Sequence, residues 1–70
     1  MIKELRMKKN YTQEEIADKL GISLRQYVRI DNEKTIPRPD IFSSLIKILD
    51  MNNEEIGEFI RNTLKNKKVL

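Results

Sequence analysis

Seventy residues, 39% hydrophobic and 36% charged, with 14 lysines and arginines against 11 acids, read as one small domain of net charge +3. A chain of this length buries only about 60% of the surface its unfolded form exposes, which argues against a large catalytic pocket. The lack of cysteine and histidine excludes disulfides, thiol nucleophiles, imidazole bases and Cys/His zinc sites, so the fold must rest on apolar packing. The basic excess fits a polyanionic partner. No apolar run could span a bilayer and the first residues are charged rather than signal-like, so a cytoplasmic chain is expected.

In chain order, Ile2, Leu5 and the stem of Lys9 fall on one side of a first helix, Ile2 to Lys9, with Lys3, Glu4 and Lys8 opposite. Asn10 tolerates left-handed φ and ends it. Tyr11 is a core candidate. Thr12 and Glu15 form a T-x-x-E capping box for a second helix, Gln13 to Leu20, whose inner face is Ile16, Ala17 and Leu20. Gln13, in its first turn, is either a structural amide or a phosphate contact. Gly21 supplies the positive φ that stops this helix, and Ser23 caps the next, Leu24 to Ile30, which turns Tyr27 and Ile30 inward. Three residues between two amphipathic segments force a sharp corner, the geometry of a helix-turn-helix over about residues 12–32. The second helix turns outward Leu24, Arg25, Gln26, Val28 and Arg29, a row suited to base edges and phosphates.

Asp31 to Lys34 reads as a helix end and Thr35 to Pro39 as a loop, because Pro37 and Pro39 bias their predecessors to extended backbone. Pro39 fits the first position of a fourth helix, about Pro39 to Leu49, with Phe42, Leu45, Ile46 and Leu49 buried. Asn52 or Asn53 caps a fifth helix that begins at Glu54-Glu55 and carries Ile56, Phe59, Ile60 and either Thr63 or Leu64 on one face. Gly57 inside it costs about 1 kcal/mol against alanine and points to close packing. Residues Lys65 to Lys68 suit the helix's negative end. Glu14, Glu15 and Asp18 lie on a solvated face without a base or metal partner, so no enzyme, metal site or cofactor is expected.

Ile2-x-x-Leu5-Arg6, Tyr11-Thr12-Gln13-x-Glu15-Ile16-Ala17-x-x-Leu20-Gly21-Ile22-Ser23, Tyr27-x-Arg29-Ile30-Asp31-Asn32-x-Lys34, Pro37 and Leu45-x-Lys47-x-Leu49-x-Met51-x-x-x-x-Ile56 together resemble the phage repressor and Cro type of helix-turn-helix, the xenobiotic-response-element family. The resemblance implies an all-α, five-helix lambda-repressor-like fold that binds double-stranded DNA, usually as a homodimer on an inverted repeat. It implies base reading by Leu24, Arg25, Gln26 and Arg29. Arginine can bond guanine O6 and N7 with both arms, glutamine can match an adenine edge, and Leu24 or Val28 can touch a thymine methyl. Contacts to the DNA backbone are implied at Gln13, Asn32, Lys34 and Arg38, and a structural ion pair between Arg6 and Asp31. Two positions depart from the family pattern. Glu33 stands where glycine is frequent, which predicts an altered turn and an acid beside phosphate. Tyr27 replaces a smaller aliphatic residue, which predicts either a reshaped core or a hydroxyl at the surface.

Self-association is expected to use the fifth helix and the tail, residues 53–70, with Phe59, Ile60, Leu64, Val69 and Leu70 as candidates; Phe59 and Ile60 fit the chain's own core equally well. A transcriptional regulator, a repressor, is the first functional reading. An antitoxin that binds a toxin and its own promoter is the alternative.

Overall fold

The computed structural model describes residues 1–66, which form five helices: α1 (Ile2–Lys8), α2 (Gln13–Leu20), α3 (Leu24–Asp31), α4 (Pro39–Leu49) and α5 (Asn53–Asn66). No strand occurs among the described residues. The helix boundaries follow from local chemistry. Thr12 Oγ1 accepts from the Glu15 N–H at 3.1 Å while Glu15 Oε1 accepts from the Thr12 N–H at 2.8 Å, closing a capping box. Asn52 and Glu55 repeat the reciprocal pair at 2.8 and 2.9 Å, so Asn52 is the cap and α5 takes in Asn53. Pro39 opens α4, where its missing N–H has no helical partner to lose.

α1 to α4 all end in the same way. Asn10, Gly21, Glu33 and Asp50 adopt left-handed backbone, with φ of 62°, 69°, 57° and 53°. After each, the next N–H reaches back five residues: Tyr11 to Arg6, Ile22 to Ala17, Lys34 to Arg29 and Met51 to Ile46, at 2.8–3.1 Å. This closure satisfies carbonyls that the helix ends leave free. Glycine adopts the conformation without a Cβ penalty, whereas other residues forgo about 1 kcal/mol. Asp50 carries a second burden, an acid at a helix's negative end. Asp50→Gly is therefore expected to stabilise the domain by about 1 kcal/mol and raise the melting temperature by about 4–8 °C in calorimetry. A lower melting temperature would mean that the Asp50 side chain makes an interaction outweighing its strain.

The core lies where the helices converge. Ile2, Ile16, Tyr27, Leu45 and Phe59 are fully buried, with Ala17, Leu20, Ile30, Leu49 and Met51 beside them. The rings of Phe42 and Phe59 meet at 5.4 Å and 60°, a tilted pairing that suits their quadrupoles and joins α4 to α5. Phe42 and Ile46 are half-buried rather than enclosed. Of the two residues expected to finish the inner face of α5, the fold uses Thr63. Its hydroxyl donates to the Phe59 carbonyl at 2.8 Å, which makes full burial tolerable, whereas Leu64 stays exposed. Two expectations need correction. Lys9 is exposed and lies just past the end of α1. Gly57 is not a point of close helix packing, since an added Cβ would meet the Arg61 guanidinium at 3.2 Å, a movable side-chain end.

Candidate nucleic-acid interface

Helices α2 and α3 make the most extensive helix pairing in the fold, and Gly21 to Ser23 sets the corner between them. With Tyr27 and Ile30 buried, α3 has no freedom to rotate, and its outer surface is fixed. Arg25, Gln26 and Arg29 are exposed, Leu24 is 43% exposed, and Val28 is half-buried. Arg25 and Arg29 are one turn apart and carry no ion pair among the described residues. Gln26 is already engaged. Its N–H donates to Ser23 Oγ at 3.1 Å, and its Oε1 accepts from the Ser23 N–H at 3.0 Å. A two-point match to adenine needs that Oε1 as acceptor for the base's amino group, so it requires this box to open. The S-x-x-Q spacing is the sequence signal for this reciprocal pairing, which goes beyond the simple Ser23 cap expected from the sequence.

At the other end of α3 sits a buried carboxylate with all its acceptor sites filled. Asp31 Oδ1 accepts from Arg6 Nε at 3.0 Å and from the Tyr27 hydroxyl at 3.0 Å. Its Oδ2 accepts from Arg6 Nη2 at 3.3 Å and from Gln13 Nε2 at 2.9 Å. Arg6 Nη1 also donates to the Tyr11 carbonyl at 2.8 Å. One side chain thus joins α1, the start of α2 and the end of α3. Burial pushes the Asp31 carboxyl up, but the hydrogen bonds from Arg6, Gln13 and Tyr27 and the Arg6 charge outweigh it and hold the group below its ordinary value. Burial and the Asp31 charge raise Tyr27 far above the ordinary phenol range. The tyrosine therefore reshapes the interior: its hydroxyl ends on Asp31 and not at the surface.

Of the residues implied in contacts to the DNA backbone, Asn32, Lys34 and Arg38 are placed after α3, while Gln13 is half-buried on the Asp31 network. Asn32 is exposed, and Lys34 and Arg38 reach the surface from the turn and loop that follow it. Arg38 Nε lies 3.0 Å from Asp40 Oδ1 in an exposed pair. Glu33 explains why glycine suits its position: the residue is left-handed. Its carboxylate is 14% exposed and faces the Met1 amino group at 3.6 Å, with the buried Oε2 making no hydrogen bond among the described residues. An open cleft of about 520 Å³ runs between α3 and residues 35–38, with Gln26, Arg29 and Arg38 among its walls.

Among the self-association candidates, Phe59 fills the chain's own core and offers no surface. Ile60 is half-buried and Leu64 is 56% exposed one turn further on. Val69 and Leu70 lie outside the described residues. Among the described residues, no acidic group of three or more could hold a metal ion, and no helix is long and apolar enough to cross a membrane.

A family model described as helix-turn-helix matches residues 2–55, from the start of α1 into the first turn of α5. Nothing among curated proteins or solved structures matches the chain. With most of the chain inside that match, and with a capped corner presenting a basic helix, this protein belongs to the phage-repressor and Cro type of helix-turn-helix, a family of DNA-binding transcriptional regulators and not of enzymes.

Proposed function

We propose that the protein is a sequence-specific repressor that acts as a homodimer on an inverted-repeat operator. The observation that carries this reading is the exposed pair Arg25 and Arg29 on α3, neither held by an acid among the described residues. Each can take a guanine with both arms of its guanidinium, while Leu24 packs on a thymine methyl and Gln26 donates from its amide nitrogen. Asn32, Lys34 and Arg38 set register on the phosphates. Gln13 donates one amide hydrogen to Asp31 and keeps the second for a phosphate.

One such domain reads too few bases to find a unique site, since each two-armed contact discriminates by about 1–3 kcal/mol. Two copies double the number, and with their α3 helices on one side of the duplex the half-sites are about 34 Å apart. Ile60 and Leu64, i and i+4 on α5, supply the apolar seam. Repression then follows from occupancy of the promoter. Selection of duplexes from a random pool, together with sedimentation of the free protein, tests both halves of the proposal. An inverted repeat and a dimer are expected; a monomer, or a pool without sequence enrichment, would overturn it.

Lys34→Ala separates register from readout. Removing one phosphate contact should weaken binding to all duplexes alike and make the slope of log affinity against log salt shallower by about 0.9 per subunit. Titrations of operator and unrelated DNA at several salt concentrations measure it. A loss confined to the operator would assign Lys34 to base reading instead.

A further inference from the structure

Asn66 is the last described residue of α5, beyond the stretch that matches the family. It nevertheless reaches the end of α3, where its Nδ2 donates to the Glu33 carbonyl at 3.0 Å. Glu33 is the residue whose left-handed backbone, φ 57°, lets the Lys34 N–H turn back onto the Arg29 carbonyl at 2.8 Å. A glutamate does not hold that conformation by preference, and strain of this kind persists where surrounding structure imposes it. We infer that Asn66 is a positioning residue for DNA binding. By bonding the carbonyl of the strained residue, it selects the left-handed state and so holds Asn32 and Lys34, on either side, where the phosphates need them.

The inference rests on the reading of Asn32 and Lys34 as contacts to the DNA backbone, and it extends that reading to a part of α5 that touches no DNA. It predicts a specific non-additivity. Glycine keeps the left-handed turn unaided, so Asn66 should matter when residue 33 is glutamate and cease to matter when it is glycine. Glu33→Gly also deletes the carboxylate that faces the Met1 amino group, but both proteins of the glycine pair lack it, so its effect cancels.

The experiment compares Asn66→Ala with its parent in two backgrounds, unaltered and Glu33→Gly. It reads the exchange rate of the Lys34 amide in the free protein and the affinity for the selected duplex. In the unaltered background, faster Lys34 exchange and about five-fold weaker binding are expected, the worth of one net hydrogen bond. In the Glu33→Gly background, both changes should fall below about two-fold, with sedimentation unchanged throughout. Equal losses in the two backgrounds overturn the proposal, as does an unchanged Lys34 amide in Asn66→Ala. If the amide responds as expected but the unaltered protein binds no duplex, the proposed function fails and the positioning role fails with it, while the local clamp is still demonstrated.

Discussion

Arg6→Ala is expected to lower the melting temperature by about 12 °C or more, at about 4–8 °C for each kcal/mol in a domain of this size. The substitution removes two of the four donors on Asp31 and, among the described residues, its only cation, and leaves a fully buried carboxylate with one amide and one hydroxyl. Breaking a buried pair in this way costs about 3–5 kcal/mol, because the remaining charge keeps its desolvation penalty. Seventy residues are stable by only about 4–10 kcal/mol, so the variant loses a large share of its folded population on modest warming. Arg6→Lys should recover little. A single ammonium cannot span both Asp31 oxygens and the Tyr11 carbonyl as the guanidinium does. Thermal melts check both variants, and a binding defect with an unchanged melting temperature would overturn the structural role of Arg6.

The same network sets the acid limb of stability. In the unaltered protein the folded Asp31 carboxyl titrates below its unfolded value of about 4, so its contribution is complete above that pH and is lost as the pH falls through the folded value. In Arg6→Ala the cation and two of the four hydrogen bonds are gone while burial remains, so the carboxyl is expected to move up. Its cost is then greatest at neutral pH and is relieved as the pH falls through the raised value toward 4. Denaturant melts between pH 7 and pH 4 should therefore converge for the two proteins as the medium is acidified. Parallel curves would show that Asp31 does not carry the difference.

Arg25→Ala acts at the opposite end of α3 and should leave the melting temperature alone, since the side chain is exposed and makes no ion pair among the described residues. Operator binding should fall by about 1–3 kcal/mol in each half-site, roughly five- to 150-fold for one contact, and selectivity at the matching base pair should relax. Unrelated duplexes lose only one charge's attraction and should weaken far less. Repeating the selection from a random pool with the variant is the decisive measurement: an unchanged preference at every position would remove Arg25 from the reading surface.

The contrast between these two arginines shows what a chain makes legible before it folds. Helix boundaries are readable because their causes are local: Pro39, Gly21, the Thr12 and Glu15 pair, and apolar residues at intervals of three and four. The expected spans for α2 and α4 coincide with those observed, and α1 and α3 differ by one residue. The family resemblance supplies the Arg6 and Asp31 pair, which bridges 25 residues and has no local signature. The engagement of Gln26 is legible through S-x-x-Q, although its place on the outer face of α3 points by itself to base reading.

Five helices, a corner at Gly21 and a basic outer row on the third helix follow from the order of residues alone, because backbone preference and periodicity act within a few positions. Which partner each side chain finds, and at what cost, emerges only when the helices pack. Packing brings the Gln13 amide to the Asp31 carboxylate, puts Thr63 and not Leu64 into the core, and sets Asn66 against Glu33. These outcomes have no local cause: they depend on how whole helices cross, and a buried polar atom must then pair with whatever donor or acceptor that crossing brings within about 3 Å.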